Sequence, residues 1–177
     1  MSEFHTVETQ RLYEGRVVNL RVDSIEVDGH LIQREVIETP QAVVIAPLDA
    51  LGQILLVRQY RHPPGQRLLE LPAGMVERGE ELLATAQREL QEETGFAAGL
   101  LERIGGFYSA PGFCTEFLHL FIARELRSEP LDGDEDEDIE VVPTPLDRVR
   151  DLILSGEIQD AKSIAGLLIL FLIQQES

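Results

Sequence analysis

The stretch Gly74 to Phe96 reads GMVERGEELLATAQRELQEETGF and carries a clear helix signal. No proline or glycine interrupts residues 80–94, most of which favour helices, and Gly95 follows where a left-handed terminating residue belongs. Apolar residues recur at spacings of three and four, which predicts a packed stripe formed by Leu82, Leu83, Ala86 and Leu90. We therefore predict one helix over residues 80–94.

Three carboxylates lie off this apolar stripe. Glu89 and Glu93 are four residues apart and Glu92 is three from Glu89, so their side chains rise from neighbouring positions on one helix face. Like charges at this spacing repel each other and weaken a helix unless a cation neutralises them. Carboxylate oxygens are hard ligands that suit Mg²⁺ or Mn²⁺. A divalent-metal site is one interpretation of this face, and a solvated acidic face is the other.

The spacing of the whole stretch resembles the Nudix box. The matching positions are Gly74, Glu80, Arg88-Glu89-Leu90, Glu92-Glu93 and Gly95-Phe96. Nine spaced constraints of this kind rarely match by chance. The resemblance implies a hydrolase of nucleoside diphosphates linked to another moiety, in which a loop, a helix and a second loop hold divalent metal against a pyrophosphate.

The resemblance also implies a set of metal ligands. Glu89 and Glu93 match the family's ligands, and Glu92 belongs to the same cluster. A backbone carbonyl ligand is expected at Ala73. The implied cofactor is Mg²⁺, with Mn²⁺ as the alternative, because such ions keep positions for water and phosphate oxygens.

Other positions of the box are expected to shape the loop. Arg88 and Glu80 correspond to the pair that buttresses the loop onto the helix, and Glu80 is also expected to contact substrate. Gly74 permits the close backbone approach that a metal-bound phosphate demands. Together with Gly95, these residues give the box its expected shape.

A proline after the box indicates one branch of the family. Pro111 lies sixteen residues after Gly95, and a proline at about this distance is typical of relatives that hydrolyse ADP-ribose. Glu116 follows on a predicted strand that the resemblance brings towards the metals and substrate. The resemblance thus implies cleavage of ADP-ribose to AMP and ribose 5-phosphate. The alternatives are hydrolysis of another nucleoside diphosphate sugar, such as GDP-mannose, and nucleotide sensing without hydrolysis.

Substrate contacts are also expected outside the box. Arg61 stands at the mouth of a loop, where a guanidinium offers forked donors to phosphate oxygens, and its position resembles that of the substrate arginine in ADP-ribose hydrolases. Arg16 and Glu35 match positions where those relatives contact the nucleotide; the alternative for both is a strand surface charge. In the resembling enzymes a loop carboxylate positions or deprotonates the attacking water. Glu137 is the first candidate for this role and Glu135 the second.

The resemblance implies the Nudix fold, an α+β fold of the α/β/α sandwich type with a mixed β-sheet between helices. Residues 1–40 alternate as strands around Asp28-Gly29 and predict a small antiparallel unit ahead of a catalytic domain over residues 41–177. ADP-ribose-hydrolysing relatives commonly use such a sheet to form a swapped dimer with substrate between the subunits. The resemblance therefore implies a homodimer through the N-terminal sheet.

Within the catalytic domain, the apolar run Ala42 to Pro47 predicts a strand buried on both faces. Two helices are predicted near the C-terminus, over residues 146–154 and 161–175. Thr144 is the expected cap of the first of these helices, with Pro145 at its first helical position, and Asp160 is the expected cap of the second.

Composition restricts the partners of the protein. Fifteen Lys and Arg against 32 Asp and Glu give a formal net charge of −17, which repels nucleic acid and anionic membranes. Cys114 is the only cysteine, so no intrachain disulfide can form. No targeting segment or bilayer-spanning apolar run is visible. We expect a cytoplasmic enzyme acting on a small anionic substrate.

Overall fold

The computed structural model describes residues 3–133 and 138–175 of the chain. The chain divides into two compact units. The first comprises Met1–Gln41 and Phe107–Phe117, and the second comprises Ala42–Gly106 and Leu118–Ser177.

The first unit is built on a three-stranded antiparallel sheet. Its strands are β1 (Phe4–Glu14), β2 (Asn19–Val27) and β3 (His30–Glu38), in the order β1-β2-β3. Asp28 and Gly29 join β2 to β3 with φ angles of 49° and 80°. Two successive positive φ angles are what a two-residue hairpin turn requires, so the hairpin predicted at this dipeptide is confirmed.

The segment Phe107–Phe117 belongs to the first unit, although the sequence analysis assigned these residues to the catalytic domain. The Ile37 amide donates to the Phe113 carbonyl at 2.7 Å, and the Thr115 amide donates to the Ile37 carbonyl at 3.0 Å. The rings of Tyr108 and Phe117 also meet edge to face, with centroids 4.9 Å apart. The two hydrogen bonds of Ile37 join residues that are far apart in the chain, so no local pattern predicts them.

The second unit contains two sheets. The strands are β4 (Ala42–Pro47), β5 (Gln53–Arg61), β6 (Gln66–Glu70), β7 (Ala73–Met75), β8 (Phe96–Tyr108), β9 (Phe117–Ser128) and β10 (Ile139–Pro145). One sheet has the order β7-β4-β9-β8 and the other β10-β5-β6. Strand β4 pairs in parallel with β9 and antiparallel with β7. The predicted mixed sheet is therefore confirmed.

Three helices complete the second unit: α1 (Leu82–Thr94), α2 (Leu146–Ser155) and α3 (Ala161–Gln175). Both α1 and α3 contact β4, and all of β4 is buried as predicted. Among the helices in the described residues, none combines the length and the apolar character needed to cross a bilayer.

Helix α1 ends where the sequence predicts and begins two residues later. Gly95 has a φ of 76° and its amide donates to the Gln91 carbonyl, which is the expected left-handed termination. Glu81 is extended, so Glu80 lies outside the helix. The predicted apolar stripe is wrong at Leu83, which is 56% exposed. The core instead joins α1 to β4 and β9 through Val43, Ile45, Ala86, Leu90, Phe121 and Ala123.

The expected helix caps are only partly observed. Thr144 does not cap α2, because its hydroxyl donates to the Val142 carbonyl at 3.0 Å and Pro145 occupies the cap position. Asp160 does cap α3. Its carboxylate accepts from the Ser163 amide at 2.9 Å, as predicted.

Candidate active site

Arg88 is the cation that allows the glutamates of α1 to lie together. Its Nη1 donates to Glu89 Oε1 and to Glu92 Oε2, both at 2.8 Å. The other edge of the guanidinium donates to both oxygens of Glu80 and to the Met75 carbonyl. One side chain therefore neutralises part of the acidic helix face and ties it to the preceding loop.

The same contacts perturb the titration of the pair. Hydrogen bonding from Arg88 lowers the pKa of Glu80 from 4.5 to about 2. The carboxylates around Arg88, with Glu80 foremost, raise the pKa of the guanidinium above its ordinary value. Glu80 also accepts from the Glu77 amide at 3.2 Å, so its carboxylate braces the loop and the helix together. These contacts support the expected role of the Arg88–Glu80 pair as a buttress.

Gly74 lies directly against the carboxylate of Glu89. A Cβ built at Gly74 would come within 1.9 to 2.2 Å of the three carboxyl atoms of Glu89. A larger residue fits here only if the Glu89 carboxylate moves away. The backbone of β7 therefore lies directly against this carboxylate of α1.

Glu93 is the most buried carboxylate of the acidic helix face, with 5% of the residue exposed. Its Oε2 accepts a hydrogen bond from the Ala73 amide at 3.2 Å. The predicted metal ligand is the carbonyl of Ala73, whereas the hydrogen bond to Glu93 is made by its amide. Ala73 and Glu93 are nevertheless brought together, twenty residues apart in the chain.

The chemistry of this cluster fits a hard divalent cation. Glu89, Glu92 and Glu93 offer only carboxylate oxygens, which Mg²⁺ and Mn²⁺ prefer. As placed, no three His, Cys, Asp or Glu side chains within residues 3–133 and 138–175 form a ready-made metal site. Glu89 and Glu92 each direct one oxygen to Arg88, so the guanidinium provides the positive charge that the acidic face requires.

Arg61 lies at the end of β5 and contacts a buried acid. Its Nε donates to Glu70 Oε1 at 3.0 Å and its Nη2 to Glu70 Oε2 at 2.8 Å. Glu70 is 1% exposed, whereas the Arg61 side chain is 36% exposed. Arg61 is therefore anchored at one edge by a fixed carboxylate and reaches solvent elsewhere.

Three expected substrate residues belong to the first unit. Arg16 is exposed between β1 and β2, and Glu35 is exposed on β3 opposite Val22. Glu35 also lines a cleft of about 350 Å³ in that unit, together with Arg34 and Phe113. Glu116 is half-buried, and its carbonyl accepts from the Ser109 amide at 3.2 Å.

The two candidate water-activating residues, Glu137 and Glu135, lie outside the described residues. The residues that flank this segment are described. A Cβ at Gly133 would lie 3.6 Å from the Glu92 carbonyl oxygen. Gly133 therefore lies against α1 at one of its acidic residues. On the other side, the Asp138 carboxylate pairs with Arg67 of β6.

One part-buried side chain near this site was not predicted from the sequence. Lys162 of α3 donates to Glu70, the same carboxylate that holds Arg61. A signal was available, because Lys162 is the only lysine in a chain that otherwise uses arginine for its cations.

Comparisons with known proteins agree with this geometry. Residues 38–167 match the NUDIX domain. The ADP-ribose pyrophosphatase of Bacillus subtilis (strain 168) is 39% identical over 164 residues, which cover 91% of this chain and 89% of that protein. The methanol dehydrogenase activator of Bacillus methanolicus is 36% identical over 168 residues, covering 93% and 91%.

The fold has a close counterpart among solved structures. The crystal structure of an ADP compounds hydrolase superposes with a TM-score of 0.90, covering 98% of this chain and 95% of that chain at 24% identity. This likeness confirms the expected Nudix α/β fold. The match of residues 38–167 to the NUDIX domain and the relative at 39% identity show that the chain belongs to the Nudix family.

Proposed function

We propose that this chain is a divalent-metal-dependent pyrophosphohydrolase that cleaves ADP-ribose to AMP and ribose 5-phosphate. The observation that carries the proposal is the packing of the Glu89 carboxylate against Gly74 while Arg88 joins Glu89 and Glu92. This constellation suits a diphosphate held beside a metal-binding helix. The relative named ADP-ribose pyrophosphatase, at 39% identity, supports ADP-ribose as the substrate.

Glu89, Glu92 and Glu93 would hold the metal, with the Ala73 carbonyl as a further ligand. We favour Mg²⁺, and Mn²⁺ offers the same preference for oxygen ligands. Divalent ions bound here would supply charge neutralisation for the diphosphate oxygens and for the leaving phosphate.

The residues around the cluster have supporting roles that follow from their contacts. Gly74 gives the substrate phosphates access to the backbone, because a side chain there would occupy the space beside Glu89. Arg88 and Glu80 keep the loop in register with α1. Arg61 contributes guanidinium donors to the diphosphate from the edge that does not bond Glu70.

Water activation is assigned to Glu137, with Glu135 as the second candidate. A carboxylate near the cluster would orient a water molecule and accept its proton as the water attacks phosphorus and the bridging P–O bond breaks. The position of Gly133 beside Glu92 supports this assignment, since the acidic run continues directly from Gly133.

We propose a homodimer that forms through the N-terminal sheet of the first unit. We assign Arg16, Glu35 and Glu116 to nucleotide contacts. Strand β1 supports dimerisation because it is a fully exposed edge strand carrying large apolar side chains, Phe4, Val7, Leu12 and Tyr13. We place the enzyme in the cytoplasm, because a chain with one cysteine forms no intrachain disulfide and needs no oxidising compartment.

A substrate panel tests the proposal. The purified protein would be incubated with ADP-ribose, GDP-mannose and other nucleoside diphosphate sugars, with Mg²⁺, with Mn²⁺ and with a chelator, and the products identified by chromatography. We expect ADP-ribose to give the highest kcat/KM and to yield AMP and ribose 5-phosphate only when metal is present. Faster cleavage of GDP-mannose would replace the substrate assignment with the alternative sugar nucleotide.

A further inference from the structure

Glu70, at the end of β6, is a buried carboxylate shared by two cations. Its side chain is 1% exposed, and both of its oxygens accept from Arg61. Lys162 Nζ also donates to Glu70 Oε2. A carboxylate in such surroundings is stabilised only while its hydrogen bonds and opposite charges stay in place.

Lys162 is held tightly, although lysine has a long and flexible charged side chain. The side chain is 15% exposed, and its ammonium group also donates to Asp160 Oδ2 at 2.9 Å. Burying an ammonium group and ordering its long stem both cost free energy. The only lysine of the chain is therefore placed where its charge meets two carboxylates, at the beginning of α3.

The same cluster fixes the segment that leads to the catalytic loop. Asp160 accepts from the amide and the hydroxyl of Ser163, and the Ser163 hydroxyl oxygen accepts from the Leu71 amide at 2.7 Å. Leu71 lies two residues before Ala73, whose amide contacts Glu93. The start of α3 is thus bonded to the segment between β6 and β7, directly before Ala73.

Arg61 is close enough to the metal-site acids to be affected by their charge. Glu70 raises the pKa of Arg61 chiefly through its hydrogen bonds, and the charges of Glu93 and Asp160 raise it further. The guanidinium edge that bonds Glu70 is formed by Nε and Nη2, which leaves Nη1 outside the ion pair. The orientation of Nη1 therefore depends on the position of the Glu70 carboxylate.

We propose that Lys162 is a positioning residue that fixes Glu70 and, through it, the guanidinium plane of Arg61 against the substrate diphosphate. The inference rests on the proposed function and deepens it, since it names a residue that holds Arg61 in place to bind the substrate. The hydrogen bonds of Lys162 go to Glu70 and Asp160, neither of which is assigned to the metal. Its removal acts on substrate binding because Glu70, with one cation fewer, no longer holds Arg61 in one plane.

Kinetics of matched variants test the proposal on whichever nucleoside diphosphate sugar the wild-type enzyme cleaves best. Lys162→Met removes the charge while keeping much of the volume, and Lys162→Arg keeps the charge. The control is Arg58→Met, because Arg58 also joins β5 to the segment ahead of α3, through Glu157 at 3.1 Å. Melting temperatures of all variants would be measured alongside.

For Lys162→Met we expect KM to rise about tenfold, the usual effect of loosening one charged hydrogen bond, with kcat within about threefold of wild type. Lys162→Arg should recover most of the loss, and Arg58→Met should keep a KM close to wild type. A KM for Lys162→Met no higher than that of Arg58→Met would overturn the proposal. So would a loss of kcat at unchanged KM.

A second measurement needs no variant, because a chain with one lysine gives one lysine side-chain signal. The wild-type protein would carry ¹³C at the ε-carbon of lysine, and the signal would be followed during titration with Mg²⁺ and a methylene-bridged, non-hydrolysable ADP-ribose analogue. We expect the signal to shift in proportion to site occupancy, which calorimetry would measure. A signal that does not move at saturation would overturn the proposal.

The two measurements separate this inference from the proposed function. If the wild-type enzyme cleaved only a different sugar nucleotide, the proposed substrate would be wrong. A Lys162 signal that then followed the matching analogue would still support the positioning role.

Discussion

Arg88 donates two parallel hydrogen bonds to Glu80, from Nε at 2.9 Å and from Nη2 at 3.0 Å. Bidentate pairs of this kind are among the stronger ion pairs because both partners are oriented as well as attracted. The pair connects the loop before α1 to the middle of the helix, and the remaining Nη1 group gathers Glu89 and Glu92. The Arg88 guanidinium therefore organises the acidic face and the loop together.

Changing Glu80 to Gln should make the stability of the protein less sensitive to low pH. The pKa of Glu80 is lowered from 4.5 to about 2, so its carboxylate stabilises the fold above pH 4.5 and loses this effect as the pH falls towards 2. At pH 7 the variant should be about 1–3 kcal/mol less stable. Urea unfolding at a series of pH values measures both effects.

The diagnostic quantity is the difference in unfolding free energy between wild type and Glu80→Gln. It should shrink steadily between pH 4.5 and 2. A difference that is independent of pH would show that the ion pair with Arg88 does not contribute in this way.

Changing Gly74 to Ala should reduce turnover strongly while the protein stays folded. The new Cβ would overlap the Glu89 carboxylate, which must move away from its present position. Displacing a reacting group by about 1 Å costs on the order of 100-fold in rate. Steady-state kcat measures the effect, and Gly105→Ala is the matched control because a Cβ there meets no atom within 4 Å. Equal activity of the two variants would contradict the assigned role of Gly74.

Changing Glu137 to Gln should lower kcat by about 10² to 10⁴, the usual contribution of a general base, with little change in KM. Glu135→Gln should have a smaller effect if Glu137 is the base, and the larger one if the order is reversed. Asp132→Asn, in the same acidic run, serves as the control. Wild-type turnover in both glutamate variants would remove this loop from the mechanism.

Changing Val7 to Glu should dissociate the proposed homodimer. Val7 is 59% exposed on the edge strand β1, where a buried charge in an interface would be costly. Light scattering coupled to gel filtration should give twice the mass of one chain for wild type and one chain for the variant. Leu51→Glu is the control, since Leu51 is 84% exposed and lies in the second unit. A wild-type protein that runs as a monomer would contradict the dimer.

Local signals in the sequence were sufficient for much of the fold. Gly95 ends α1 because its φ of 76° is strained for other residues, and Asp28-Gly29 makes the hairpin for the same reason. The run of apolar residues in β4 likewise predicts its complete burial. Each of these features depends on residues that are neighbours in the chain.

Features that depend on distant residues were not predicted. Lys162 donates a hydrogen bond to Glu70, which is 92 residues away in the chain. Ile37 forms backbone hydrogen bonds with Phe113 and Thr115, which are also far from it in the sequence. Leu83 has the spacing of a buried residue, yet it is 56% exposed. For the site, the spacing of the box predicts Glu89 and Glu93 as metal ligands, whereas the second cation on Glu70 became visible only in three dimensions.

The central claim is that Glu93 and its neighbours hold the metal that acts on the diphosphate. Glu93→Gln keeps an oxygen to accept from the Ala73 amide but loses the negative charge. The most direct measurement is kcat for ADP-ribose hydrolysis by this variant at saturating Mg²⁺, beside Glu77→Gln as a control and with the melting temperature of each. We predict a loss of roughly 10³ or more in kcat with the fold intact. Turnover near that of wild type would contradict the account.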